Sequence, residues 1–363
     1  MKILFLSGNL CDGGAQRVIS VVASELAEKG HDVNLLLFSR NEKEYPLSEK
    51  VKIFSLADNF NDYQKISGLK RIIRVRRLLK QLKPEVAVGF LEGGYALYLS
   101  SFGLKLKKVS SARINPKHII EQKGLRAFIN KRWFKKSDAI VLQTESQIEF
   151  SPKSWIKKSV VIANPVSELA LNNEKQSHAD NCRSLVMVGR LDSQKNYSMA
   201  IEAIRILKEE YPNIHLDIFG KGGYEQTIKQ EIAEKNVGDN VSLKGWTQNA
   251  VKELCEHDLY LMTSDFEGMP NALMEAMAVG LPCISTDCET GPSDLIDNGV
   301  NGLLVPVGDA VALTEAIKLV IEMSKEKRIE MGKLAKEKMQ ENFNNKAIAS
   351  KWEELLNKLI EGK

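Results

Sequence analysis

Short, solidly apolar runs that alternate with segments of helical period constrain this chain more than any other feature. KILFL, VNLLLF, VKIF, VAVGF, AIVL and VVI mark the first half. Such runs suit strands buried on both faces, and the spacing between them leaves room for crossover helices, so they predict a parallel sheet covered on both sides. The pattern breaks at Asn164-Pro165, a turn signal, and a polar stretch, SELALNNEKQSHADNCR, follows with little periodicity. It then restarts with SLVMV, HLDIF, VSLK, LYLM and CIST, and with the run Leu303 to Val305. The fold class read from this is α/β, with two doubly wound domains in tandem: residues 1–165, then 166–345. A length of 363 residues accommodates two cores of ordinary size. From Ala310 onward two amphipathic segments are expected. The last, about 346–363, offers Trp352, Leu355, Leu356 and Leu359 as an apolar face that packs back on the first domain.

Composition excludes several classes. At 43% hydrophobic and 27% charged residues the chain is globular. The opening MKILFLSGNLCDGG turns from a short apolar run into glycines, which reads as a buried first strand and not a signal peptide. No stretch approaches the ~18 consecutive apolar residues of a membrane span. Cys11, Cys182, Cys255, Cys283 and Cys288 are scattered and never form C-x-x-C, which suggests a reducing cytosol without a disulfide or zinc framework. Charge is divided unevenly. Residues 1–165 hold 29 Lys+Arg against 15 Asp+Glu, a net of +14, and residues 166–363 hold 22 against 32, a net of −10. The first half therefore attracts anionic surfaces and the second does not.

Three loops carry chemistry. Gly13-Gly14 lies between the first strand and a helical segment, where backbone can approach an anion at a helix N-terminus. The spacing is not G-x-G-x-x-G, and the second strand ends at Ser39-Arg40 with no acidic residue, so a dinucleotide fold is disfavoured. In the second half, Gly189-Arg190-Leu191-Asp192-Ser193-Gln194-Lys195-Asn196 follows a strand, and Arg190 and Lys195 are expected to project as two cations suited to a diphosphate. Further on, Pro270 opens a helix whose first amides, at Asn271, Ala272 and Leu273, point at an anion. Glu267 precedes this helix and Glu275 lies in its second turn, so the two carboxylates can accept hydrogen bonds from sugar hydroxyls at different places. Surface salt bridges and an ordinary helix glutamate are the plainer readings of these residues, but a carboxylate among Leu273, Ala276 and Met277 needs a partner.

Taken together, Gly-Gly-Ala-Gln-Arg, the Gly-Arg-Leu-Asp loop with Lys195-Asn196, Gly220-Lys221-Gly222 after HLDIF, and Glu267 to Glu275 as E-x7-E resemble glycosyltransferase family 4 along essentially the whole chain. These are retaining enzymes that build bacterial surface polysaccharides and lipid-linked glycans on the GT-B fold, two Rossmann-like domains facing across a cleft. The resemblance implies an N-terminal acceptor domain and a C-terminal donor domain. In the donor site, Arg190 and Lys195 would hold the diphosphate, Glu275 the ribose and Glu267 the transferred sugar. The backbone of Gly268, Met269, Pro270, Asn271, Ala272 and Leu273 would line that site, Gly14 would approach from the first domain, and Gly220 and Trp246 would border the nucleobase. Arg190, Lys195 and Glu267 would be the catalytic groups.

The resemblance further implies a UDP-sugar co-substrate and no cofactor or metal; the sequence contains no D-x-D, and its His residues show no ligand spacing. Where many family members carry a His, this chain reads Val-Ser-Ser-Ala-Arg-Ile-Asn-Pro, which makes Arg113 a candidate acceptor contact. The implied activity is transfer of a hexose or N-acetylhexosamine to a membrane-presented glycan or polyprenyl-diphosphate-linked acceptor. The alternatives are a UDP-sugar epimerase of the same fold and a non-catalytic nucleotide-sugar-binding subunit.

The segment LKRIIRVRRLLKQLK sets Leu69, Ile72, Val75, Leu79 and Leu82 on one face, with Lys70, Arg71, Arg74, Arg77 and Lys80 elsewhere. It reads as a crossover helix, and its basic face can also dock on anionic lipid. A second cluster, Arg126, Phe128, Lys131, Arg132, Trp133, Phe134, Lys135 and Lys136, supports the same idea. Nucleic acid is not an expected partner, since no recognised module accompanies the charge. A cytoplasmic location, peripheral on the inner face of the membrane, is expected.

Overall fold

The computed structural model describes residues 1–11, 13–90, 92–175 and 179–362; residues 176–178 of the polar stretch, and the side chain of Arg126, lie outside the description. Two compact units result, one of residues 1–165 with 345–363 and one of residues 166–344.

The first unit is built on seven parallel strands: β1 (Lys2–Ser7), β2 (Asp32–Leu37), β3 (Lys52–Ser55), β4 (Val86–Phe90), β5 (Lys107–Ser111), β6 (Ala139–Leu142) and β7 (Ser159–Val161), in the order β3-β2-β1-β4-β5-β6-β7. The strand order reverses direction between β1 and β4, the switch point at which open α/β sheets bind ligands. β1, β2, β4 and β6 are apolar and buried, as strands with helices on both faces must be. β5 reads Lys-Lys-Val-Ser-Ser, so hydropathy does not mark it; its Ser110 and Ser111 are nevertheless buried inside the sheet.

The last helix, Asn345–Glu361, belongs to this unit. Trp352 is fully buried, with its ring 5.9 Å from that of Phe90 and 6.5 Å from that of Phe5. Glu353 of the same helix bonds Lys29 at 2.7 Å and His31 at 2.8 Å. The basic helix Gly68–Leu82 buries Val75 and Leu79 against the sheet, while Leu69 stays exposed. The second basic cluster is a different matter from its sequence reading. Trp133 and Phe134 are core residues, Phe134 stacked on Trp155 at 4.6 Å, and Phe128 remains an exposed aromatic there.

The second unit has six parallel strands: β8 (Ser184–Val188), β9 (His215–Phe219), β10 (Val241–Gly245), β11 (Leu259–Met262), β12 (Cys283–Thr286) and β13 (Leu303–Val305), in the order β10-β9-β8-β11-β12-β13. Its switch point falls between β8 and β11. Its core draws Leu185, Met187, Ile204, Leu216, Leu261 and Ile317 from the strands and from helices on either side.

From Ala310 the chain forms three helices where two segments are expected: Ala310–Glu322, Lys325–Asn342 and Asn345–Glu361. Ser324, between the first two, caps the second by accepting from the Lys327 amide. The middle helix buries Gly332 against Gly280, where a Cβ on Gly332 would lie 2.0 Å from the Gly280 carbonyl oxygen; a close crossing of this kind needs glycine and leaves little apolar stripe to read.

Candidate active site

The loop after β8 is held by backbone. The Gly189 amide donates to the Phe219 carbonyl at 3.0 Å, and the Leu191 amide to the Lys221 carbonyl at 3.0 Å, so the loops leaving β8 and β9 lie side by side. Gly220 and Gly222 permit this approach, because a Cβ on them would sit 1.9 Å from the Gly189 oxygen and 2.1 Å from the Leu191 oxygen. The Tyr197 hydroxyl donates to the Arg190 carbonyl at 3.1 Å and fixes the loop from below. Burial, aided by the Asp192 and Glu267 carboxylates, pushes the Tyr197 hydroxyl's pKa up, so it stays a donor.

Asn196 adopts left-handed backbone, φ 44°, which Asn tolerates better than most residues. Its side chain accepts from the Met199 amide to cap the helix Tyr197–Leu207 and donates to Asp265 Oδ1 at 2.7 Å. These contacts bring the loop after β8 against the loop after β11 across the switch point. Thr263, buried at the end of β11, donates to the carbonyls of Lys195 at 2.8 Å and Asn196 at 2.9 Å, and Gln194 Nε2 donates to the Phe266 carbonyl at 2.6 Å.

The two cations then part company. Lys195 turns inward, with Nζ 2.6 Å from Glu267 Oε1 and the two side chains 18% and 9% exposed. Arg190 projects, 75% exposed, beside Asp192 at 3.1 Å. Glu267 is held from behind as well, its carbonyl accepting from the buried Thr290 hydroxyl. The Glu267 charge also raises the neighbouring Cys288 thiol, pushed up to about 12 chiefly by burial, so this cysteine is a structural residue and not a nucleophile.

The helix Asn271–Ala278 begins three residues beyond Gly268. Pro270, its cap residue, offers no capping side chain, and the first bond inside the helix runs from the Met274 amide to the Pro270 carbonyl at 3.1 Å. The amides of the first turn, those of Ala272 and Leu273 among them, have no acceptor within the helix, and its partial positive end adds to the two cations. Met269 and Leu273 are buried, so their side chains are core and their backbone is the part that lines the loop. Glu275 is partly buried one turn further on. On the far side, Trp246 at the end of β10 is exposed, with Lys221 Nζ 5.4 Å from its ring centre, and the Gly220 amide donates to the Gly245 carbonyl at 2.8 Å.

Arg190, Lys195, Gly220, Trp246 and the stretch from Glu267 to Glu275 thus meet at the carboxyl ends of β8 to β11. Gly14 and Arg113 belong to the other unit: Gly14 opens the helix Gly14–Glu28 after β1, and Arg113 follows β5, buried. Sequence reasoning did not find Gln194, Thr263, Asp265 and Thr290, which hold the loops together. Thr263 and Asp265 both follow directly on β11, in the loop that faces the motif loop, the single positional signal available. Among the described residues no cluster of three or more His, Cys, Asp or Glu could hold a metal ion, and no helix is long and apolar enough to cross a membrane.

Comparisons with known proteins place this geometry. Residues 171–338 match the family described as glycosyl transferases group 1. Over 331 residues the chain is 29% identical to a GalNAc-alpha-(1->4)-GalNAc-alpha-(1->3)-diNAcBac-PP-undecaprenol alpha-1,4-N-acetyl-D-galactosaminyltransferase of Campylobacter jejuni, covering 88% of this chain and 89% of that protein. Among solved structures, HepE of Anabaena in complex with UDP superimposes with a TM-score of 0.80 at 17% identity, covering 98% of this chain and 100% of that one. A variant of S. aureus TarM in complex with Fondaparinux, alpha-GlcNAc-glycerol and UDP gives 0.78 at 15% identity, with the same coverage. At such identities the two structures speak for the fold.

Proposed function

We propose that this chain, which has the GT-B fold and matches the group 1 glycosyl transferases over residues 171–338, is a glycosyltransferase that transfers a hexose or N-acetylhexosamine from a UDP-sugar, with retention, to a membrane-presented glycan or polyprenyl-diphosphate-linked acceptor in bacterial cell-surface polysaccharide synthesis. The observation that carries the donor half is the inward Lys195–Glu267 pair beside the projecting Arg190, set at the switch point against a helix N-terminus. Two cations and a helix end can offset the charge that develops on a departing diphosphate, the largest electrostatic demand of the reaction. With those charges built into the protein, the reaction needs no divalent metal in this reading. The UDP bound in two GT-B structures and the lipid diphosphate in the name of the Campylobacter relative support the donor and acceptor classes.

In this reading Arg190 and Lys195 bind the diphosphate, assisted by the amides from Gly268 to Leu273. Glu267, oriented by Lys195, accepts from a sugar hydroxyl, Glu275 accepts from the ribose, and Trp246 with Gly220 borders the uracil. Arg113, in the N-terminal unit, serves the acceptor. Glu267 is committed to Lys195 and so does not act as a nucleophile. The acceptor oxygen bonds the anomeric carbon on the face from which the diphosphate leaves, and the acceptor proton passes to the leaving phosphate oxygen. NMR of the product formed from UDP-sugar and a lipid-linked acceptor, in the presence of EDTA, tests this. An anomeric configuration equal to the donor's is expected; an inverted linkage, or hydrolysis and epimer formation without transfer, would overturn it.

A further inference from the structure

Arg113 is a buried cation without an anion. Its Nη1 donates to Asn164 Oδ1 at 2.7 Å, and Gln143 Nε2 donates to the same oxygen at 2.9 Å, so a neutral amide pair fixes the guanidinium. Its plane lies over the Phe90 ring, 4.7 Å from the centroid. Among the described residues no carboxylate pairs with it, and its Nε and Nη2 have no hydrogen-bond partner. Burial alone pulls this guanidinium's pKa down to about 9. Buried charges are ordinarily paired, since an unpaired one forfeits its hydration without return. The Nε and Nη2 hydrogens form one edge of the fork, the edge that takes a carboxylate or phosphate side-on through two parallel bonds.

Arg113 stands on the wall of a cavity of about 490 Å³ within the N-terminal unit. Ser111, whose buried Oγ is also without a partner, shares that wall. Ile119, Trp133 and Phe134 supply apolar surface, and Lys123 adds a second cation at the rim. Glu92 also lines the cavity but is engaged by another group. The volume falls in the range of small-molecule sites, and an aromatic surface beside a fork donor suits a sugar ring with an acidic substituent.

We propose that the acceptor of this enzyme carries a carboxylate or phosphate on the sugar it presents, and that this cavity receives that group on the Nε–Nη2 edge of Arg113. The inference rests on the transferase reading above, from which it takes the existence of an acceptor. It is tested by titrating the full chain with glucuronate, glucose 6-phosphate and glucose, with UDP as a separate arm, on the wild type and on Arg113→Gln and Arg113→Lys.

One of the two anions is expected to bind at least about tenfold more tightly than glucose, since charge-assisted bonds are worth roughly 1.5–3 kcal/mol. Glucuronate against glucose 6-phosphate tells the carboxylate from the phosphate. Arg113→Gln is expected to lose that preference, Arg113→Lys to keep only part of it, and both to retain the UDP response. Without ligand, Arg113→Gln should be no less stable than the wild type, because it removes an uncompensated charge. Equal binding of glucose and the anions, no saturable binding of either anion, or loss of the UDP response in Arg113→Gln would each overturn the proposal. The wild-type selectivity decides the matter even if a variant fails to fold. Absence of any UDP response in the wild type would instead strike the donor reading on which it rests.

Discussion

Lys195 and Arg190 stand five residues apart on one loop, yet they answer to different forces. Lys195 is enclosed with Glu267, so Lys195→Met should leave a nearly buried carboxylate without its counter-charge and destabilise the C-terminal unit by roughly 2–4 kcal/mol, measured by denaturant unfolding. The double variant Lys195→Met/Glu267→Gln should recover most of that loss, and a double variant as unstable as the single one would show that the pair is not the cause. Arg190, three-quarters exposed beside Asp192, should tolerate Arg190→Met within about 0.5 kcal/mol. The sequence places both cations on the loop but cannot distinguish them, because Glu267 lies 72 residues from Lys195 and no local pattern says which lysine or arginine it meets. The same holds for Gln194 and Thr263, whose hydrogen bonds to the facing loop arise only when β8 and β11 become neighbours, and for Thr290, whose bond to the Glu267 carbonyl arises only when β11 and β12 do.

At the scale of elements, the donor-side geometry depends on two loops touching through backbone. Gly220→Ala would push a methyl to 1.9 Å from the Gly189 oxygen, so the loops after β8 and β9 must separate and carry Arg190 with them. A stability loss of about 1–3 kcal/mol is expected in urea unfolding, with a parallel loss of nucleotide binding. Wild-type stability in this variant would show that the loops yield freely. Strands built from KILFL, SLVMV or LYLM are legible because burial on both faces demands an unbroken apolar run. β5 is less so: in Lys-Lys-Val-Ser-Ser the buried serines satisfy the sheet's space and not its hydropathy. The helix Lys325–Asn342 is obscured for a related reason, since it approaches its neighbour through Gly332 and Ala335 instead of a stripe of large side chains.

Across the whole molecule, charge is divided as the chain is, with net +14 on residues 1–165. The helix Gly68–Leu82 presents Lys70, Arg77 and Lys80, none of them in an ion pair among the described residues, while Arg71 and Arg74 are turned to the carbonyls of Tyr63 and Leu56 at 2.8 and 2.9 Å. Exposed Phe60, Leu69, Leu125 and Phe128 add apolar contact; Phe60 and Leu125 line one cavity of about 580 Å³ with Tyr63 and Arg71. As a proposal, this surface holds the enzyme to an anionic bilayer. Each basic residue near such a surface is worth about 1 kcal/mol, so replacing Lys70, Arg77 and Lys80 by Gln should weaken flotation with phosphatidylserine vesicles by roughly a hundredfold and reduce its salt dependence. Flotation equal to the wild type's, or equal on neutral vesicles, would assign the charge to solvation alone.

The central claim is that the loops at the switch point of the C-terminal unit hold a nucleoside diphosphate through protein cations. The most direct measurement is the thermal unfolding of the wild type and of Arg190→Met with UDP, GDP and ADP in the presence of EDTA. At 100 times its dissociation constant a ligand stabilises by about 2.7 kcal/mol, a rise of roughly 5–11 °C for a unit of this size. The expected result is that UDP raises the melting temperature of the wild type by that amount and leaves Arg190→Met unmoved. A wild type that responds to no nucleotide, or an Arg190→Met variant that responds as fully as the wild type, would contradict the claim.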